Sequence, residues 1–272
     1  MSSGKPVANE KIRLGGMALQ NGVLVHGPTA WALAVRTPEG ELKVASGHKR
    51  LRGANVTSPL LRGPARLADA MLLLPRIRRA LPEARLPFER PAVVGAMLVT
   101  GIAVRALRDS KRLGPLTREL LAGALSLAPA ALALRGSSLA AYHGAEHISI
   151  GTYEHGEPRG KEHERCGSHL VGPLLLTSAI GATVASKAPV ALRGVARLGA
   201  TVGAVAAATE VFSWMVRHPD HPVAKALAMP GHELQHRLAT AEPSEAQLEV
   251  AETALTACLE LEEDGARHPD RG

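Results

Sequence analysis

His143 and His147 stand four residues apart in AYHGAEHISIGTYEHGEP, residues 141–158. On a helix that spacing puts the two imidazoles about 40° apart on one face and one turn apart in height, where they can grip one cation. Glu146 lies between them near the same face. His-Gly-Ala-Glu-His therefore fits the H-x-x-E-H arrangement of inverted zinc hydrolases, whose glutamate is general base toward a metal-activated water. A pentapeptide with three fixed positions is a permissive pattern by itself. Its surroundings add weight, because Glu154, His155, His163 and Cys166 all follow within 20 residues of His147, and each is a competent ligand type.

Chain length constrains the third ligand. On an unbroken helix Glu154 would face the same way as His143 and His147 but stand about 10 Å beyond His147, too far to share an ion. Either the helix ends near Gly151 and Glu154 or His155 folds back, or the donor is His163 or Cys166, the latter swung inward by a turn at Gly167. The candidate ligands are thus His143, His147, Glu154, His163 and Cys166, with His155 read as a solvated loop residue. The expected ion is a divalent metal, zinc by the donor types. His232 and His236 are also four apart, but no carboxylate stands between them in H-x-x-E-H order, so they are read as surface or membrane-interface residues.

These residues need elements to hold them. Four apolar stretches, 92–104, 120–134, 170–186 and 198–216, flank the motif, two on each side. Each is near or below the roughly 20 residues of a spanning helix, and some are short enough to be re-entrant. The competing reading is buried helices of a soluble domain. Clustering of the four between 92 and 216 favours a membrane. Glu210, inside the last stretch, is then a candidate intramembrane carboxylate. Around this region, residues 1–90 read as a small β-hairpin region plus an amphipathic helix, and 217–272 as a soluble helical tail. In the first, residues 15–28 suggest one short strand, Pro38–Gly40 a hairpin turn, and 63–81 a helix broken at Pro75. In the tail, Ser244 and Gln247 form a capping-box pattern, and Leu248, Ala251, Leu255, Cys258 and Leu259 line one helical face. The fold class is mainly α: a helical membrane domain over 91–216, with the small β region before it and the tail after it.

Composition agrees. Aromatics are 2% of 272 residues, and Lys and Arg exceed Asp and Glu by 32 to 25, a net charge of +7. Basic residues flank apolar segments rather than forming a stripe with stacking aromatics, so the expected partner is the lipid bilayer and not nucleic acid; self-association is left open. Two cysteines give no disulfide framework. The polar N-terminus lacks a secretory leader, which places it in the cytoplasm, while the acidic character of residues 141–169 leans that loop to the outer side.

YHGAEH, then YEHGE, then H-x-R-C-G resembles the YqhQ-like family, domain of unknown function 1385, bacterial membrane proteins regarded as metal-dependent enzymes. GGMALQNGVLVHGPTAWALAVRTPEGEL and PGHELQHRLATAEPSEAQLEVAETAL are similar to that family's N- and C-terminal signatures. By the resemblance His143, Glu146, His147, Tyr153, Glu154, His163, Arg165 and Cys166 occupy motif positions. Met17, Asn21, Ile148 and Ser168 depart from the usual residues, and the stretch from His155 to His163 is shortened.

The expected function is a multi-pass cell-membrane enzyme dependent on zinc, a hydrolase of unassigned substrate. Glu146 would be its general base, and Arg165 would stabilise an anionic intermediate. The alternative is a transport component or scaffold in which the cluster holds a structural metal or shapes a polar cavity.

Overall fold

The computed structural model describes residues 11–49, 53–110 and 112–267. Four strands, β1 (Gly15–Leu19), β2 (Gly22–His26), β3 (Ala30–Arg36) and β4 (Leu42–His48), form an antiparallel meander in chain order. The helices are α1 (Arg62–Ala80), α2 (Pro91–Asp109), α3 (Pro115–Leu125), α4 (Ala128–Leu134), α5 (Ser138–His155), α6 (Val171–Ser186), α7 (Arg193–Arg217), α8 (Pro222–Leu234) and α9 (Glu245–Arg267). The chain is mainly α with a small N-terminal sheet, as its pattern indicates.

Residues 15–28 make two strands rather than one. Gln20 and Asn21 close a tight hairpin in which Leu19 pairs with Gly22, and Asn21 Nδ2 donates to Arg36 O and Glu83 O. The turn at Pro38–Gly40 falls where the sequence places it, with Gly40 at φ +89°. Alternation along the strands sends successive side chains to opposite faces, and here both faces are covered. Val23, Val25, Ala32 and Ala34 pack on α5 and α9, while Leu19, Leu24, Leu33 and Val35 pack on Leu73 and Ile77 of α1. That second contact explains why α1 runs through Pro75 without the expected break. Proline removes one N–H bond and crowds the preceding turn, but the buried Leu73 and Ile77 hold the helix against the sheet on either side.

In α9 the residues Val250, Ala251, Ala254, Leu255 and Cys258 are buried on one face, and Gln247 Oε1 accepts from Ser244 N at 2.9 Å, half of the capping box. Cys258 is a core residue. Burial pushes its thiol up to about 12.

The four apolar segments are the helical stretches 91–109, 115–134, 167–186 and 190–217, each long and apolar enough to cross a membrane. The second is interrupted between α3 and α4 just ahead of Pro129, where a continuous helix would lose a bond. Only 11–28% of each apolar window is buried, so these helices are not the interior of a soluble core. Ile102 is 72% exposed and Leu98 67%. Within the arm, α6 and α7 approach through small residues, Gly181 against Ala200 among them, as closely packed membrane helices do. Glu210 of α7 is paired with the start of α1, accepting from Arg62 Nε at 2.6 Å.

The arm consists of two hairpins that leave and return. The sheet, α5, the loop after α5, α8 and α9 therefore gather at one end. The lean of residues 141–169 to the side opposite the N-terminus is corrected by this arrangement. Two helical stretches long enough to cross a membrane separate the segments, and Ser138 Oγ donates to Gln20 O of the β1–β2 turn at 2.7 Å.

Candidate metal centre

Helix α5 carries His143 and His147. It begins after Gly136, runs unbroken past Gly151 to His155, and stops at Gly156, whose φ of +77° suits glycine. Because the helix does not end near Gly151, Glu154 cannot fold back on the histidines. The following loop doubles back across α5 instead. It brings Lys161 O to 2.7 Å from His147 Nδ1, and Cys166 Sγ to 3.5 Å from His143 Nε2. Cys166 heads the short turn Gly167–Leu170 and accepts from Ser168 N at 3.5 Å.

The backbone sets the tautomers. His143 Nδ1 lies 2.8 Å from Ala239 O, and His147 Nδ1 faces Lys161 O. A carbonyl only accepts, so both rings carry their proton on Nδ1 and present an Nε2 lone pair. The ring centroids are 4.3 Å apart. Donor atoms of His143, His147 and Cys166 all lie within 4.8 Å of one another. His147 Nε2 is buried with no hydrogen-bond partner. Such an orphan costs on the order of 1–3 kcal/mol, which a cation at this point would relieve. Two imidazoles and a thiolate form a donor set suited to zinc, and Nδ1–H bonds to carbonyls are the outer contacts such ligands make. The residues fit a metal.

Glu154 and His163, the other two candidate ligands, are engaged elsewhere. His163 Nδ1 accepts from Arg165 N at 3.2 Å, so its proton is on Nε2, which donates to Glu154 Oε2 at 3.1 Å. The Arg165 guanidinium contacts Glu154 Oε1. Burial works to raise the Glu154 carboxyl, but the bond from His163 and the charge of Arg165 prevail and hold it below the usual range. His163 therefore has no free lone pair, and the convergent donors among the described residues are His143, His147 and Cys166. His155, expected in a loop, is instead the exposed last residue of α5, where its Nδ1 donates to Gly151 O and its Nε2 faces the Glu164 carboxylate. His232 and His236 sit on the surface on either side of Glu162, at 3.8 and 2.8 Å.

Glu146 points from α5 toward β1. It is 6% exposed and packs so tightly on Gly16 that a Cβ there would lie 2.2 Å from its Oε1. Burial raises its carboxyl above the ordinary range, opposed by His143 and His163. Glu146, both ligand histidines, His163, Arg165 and Cys166 line one cavity of about 480 Å³. Its opposite wall is apolar, formed by Ala130, Ala133 and Leu134 of the membrane arm and Leu139 of α5.

Residues 137–261 match the family model described as a protein of unknown function, DUF1385. The match covers 125 of the 272 residues, and that segment is similar to the DUF1385 family. No curated protein and no solved structure matches the chain significantly. Every polar group of the centre lies inside the DUF1385 segment, while β1 and α4, outside it, supply glycine and alanine walls. Within the domain, spacing did not disclose Gln235. It is buried in a π-helical turn, Gln235–Ala239, where it accepts from His163 N and donates to Ser168 Oγ. The widened turn also delivers Ala239 O to His143. The sequence signal was present, in PGHELQHRLATAEP, but a lone glutamine in a polar stretch has no ligand spacing to read. Tyr153, a motif residue without an assigned role, accepts from Ile12 N and so pins the segment before β1 to α5.

Proposed function

We propose that this chain is a multi-pass membrane hydrolase that depends on a divalent metal, zinc by its donor set, held by His143, His147 and Cys166. The observation that carries the reading is the pair of Nε2 lone pairs, fixed by backbone carbonyls and facing one thiol, beside a buried carboxylate in a cavity. Three protein donors rather than four, with open space beside them, favour a catalytic over a structural site.

A bound ion would supply Lewis-acid activation of water at the cavity wall. Glu146, one residue from His147 and removed from bulk water, is placed to accept a proton there, and its desolvation suits an acid–base role. Ala239 O and Lys161 O hold the imidazoles in the ligating tautomer. Arg165, fixed by Glu154, presents positive charge at the cavity edge, where an anion formed in the reaction would be stabilised. The apolar wall limits the water that reaches these groups.

Cobalt substitution tests this. The full chain in detergent, loaded with Co²⁺, should show a sulfur-to-cobalt charge-transfer band that Cys166→Ser abolishes. Added azide should perturb the spectrum through an open coordination position, and Glu146→Gln should keep both features while hydrolysis is lost. A spectrum indifferent to azide would favour a structural ion, and metal loss in Glu146→Gln would make Glu146 a ligand instead of a base.

A further inference from the structure

The metal cavity adjoins a second space. Between α3, α6 and α7 runs a groove of about 520 Å³ walled by Gly123, Leu127, Leu170, Leu174, Leu175 and Ala200. Three of its four hydroxyl-bearing residues add little polarity. Ser126 Oγ donates to Ala122 O, Ser186 Oγ to Thr183 O and Thr201 Oγ1 to Arg197 O, so these turn their polar atoms into their own helices, and Ser178 is the fourth. At one end the groove reaches the Arg108–Glu119 ion pair at the tip of the arm. At the other it reaches Gly167, which also lines the metal cavity and directly follows Cys166. A Cβ at Gly167 would meet nothing within 4 Å. The two spaces thus meet at a residue that has no side chain to stand between them.

We infer that the substrate is a membrane amphiphile whose single apolar chain lies in the α3–α6–α7 groove and whose polar end passes Gly167 to the His143–His147–Cys166 centre. Three features select this occupant. The groove lies between helices of membrane-crossing length whose outer faces are apolar, so the medium at its mouth is hydrocarbon. It shares Gly167 with the candidate centre, whose own far wall is apolar and built from α4 of the arm. Its volume, at roughly 30 Å³ per water-sized group, holds on the order of 17 such groups, the bulk of one long acyl chain. The inference rests on the centre described above for the polar end alone. The chain site stands on the groove.

The test uses the full chain in nanodiscs containing a lysophosphatidylglycerol with a mid-chain diazirine, with photolabelled residues mapped by mass spectrometry. Labelling should concentrate on residues 167–178 and around Gly123. Gly167→Leu should lower it about tenfold or more, because the chain loses its burial there, while leaving Leu98 and Val99 on the outer face of α2 labelled as before. Ala182→Phe, which fills the groove from α6, should give the same loss if Gly167→Leu disturbs the neighbouring cysteine. Cys166→Ala should remove metal yet keep the groove labelled, so the metal reading and the lipid reading fail separately. Even labelling over every outward apolar face, or groove labelling indifferent to both blocking substitutions, would mean surrounding bilayer lipid only and overturn the inference.

Discussion

Two polar triads lie side by side along α5, and they are built from overlapping residue types. In one, His143, His147 and Cys166 converge, each imidazole proton is committed to a carbonyl, and the remaining lone pairs face one another. In the other, Glu154, His163 and Arg165 are engaged with one another, with both nitrogens of His163 in use. Ligand capacity depends on where the free lone pairs point rather than on residue type or proximity in sequence. Glu154, 8% exposed along its side chain, is as buried as a ligand would be, yet its carboxylate faces His163 and Arg165 rather than the two ligand histidines.

The largest expected effect tests that distinction directly. Competition with a chromophoric chelator should show metal affinity falling more than about 100-fold in His143→Ala, His147→Ala and Cys166→Ala, and by about tenfold or less in Glu154→Gln, which touches only the supporting contacts. If Glu154→Gln strips the metal as fully as Cys166→Ala, the two triads are one site.

A half-buried imidazole on β2 sharpens the comparison. His26 Nδ1 accepts from Lys49 Nζ at 2.9 Å, so its lone pair is not free to bind. Burial first, and the Lys49 charge second, lower it from the ordinary 6.5 to about 4. The unfolded chain then binds more protons than the folded one between those values, so stability is full above pH 6.5 and falls as pH drops toward 4. The loss is on the order of 3 kcal/mol once both values are passed. Denaturant titrations of the metal-free protein across that window should show the decline, and His26→Gln should flatten it. A His26→Gln profile as steep as wild type would assign the proton uptake elsewhere.

Smaller again is the cost of Glu154→Gln to the fold. It leaves Arg165 without its counter-charge and should lower stability by about 2 kcal/mol, less than a fully buried pair because Arg165 is partly exposed. Saturating metal should widen the difference by no more than about 1.4 kcal/mol, the equivalent of the tenfold affinity limit. A larger metal-dependent change would make Glu154 part of the centre. Gln247→Ala, remote from both triads, removes the acceptor of the Ser244 N–H and should cost about 1 kcal/mol through the α9 cap whatever the metal content. A larger cost in either condition would show that α9 senses the site.

Much of this arrangement was legible in the chain. The four-residue spacing of His143 and His147 predicted a shared face, because helical geometry leaves little choice. The apolar runs marked the arm, and the Ser244–Gln247 pair marked the start of α9. The third donor was legible only as alternatives, since selecting Cys166 over Glu154 depends on where α5 ends, and Gly151 carries no stop signal that Gly156 lacks. The break expected at Pro75 failed because packing of Leu73 and Ile77 against the sheet outweighs one lost hydrogen bond. The contacts of Gln235 and Ala239 were beyond reach, since a π-helical turn and a backbone carbonyl leave no side-chain pattern. The closeness of Gly16 to Glu146 likewise spans most of two elements that no spacing relates.

The central claim is that two imidazoles and one thiolate of this chain share an ion. X-ray absorption at the zinc edge of the zinc-loaded full chain tests it most directly. The expected shell has one sulfur near 2.3 Å and two imidazole nitrogens near 2.0–2.1 Å, with a lighter donor completing it. A shell of nitrogen and oxygen with no sulfur, unchanged in Cys166→Ala, would contradict it.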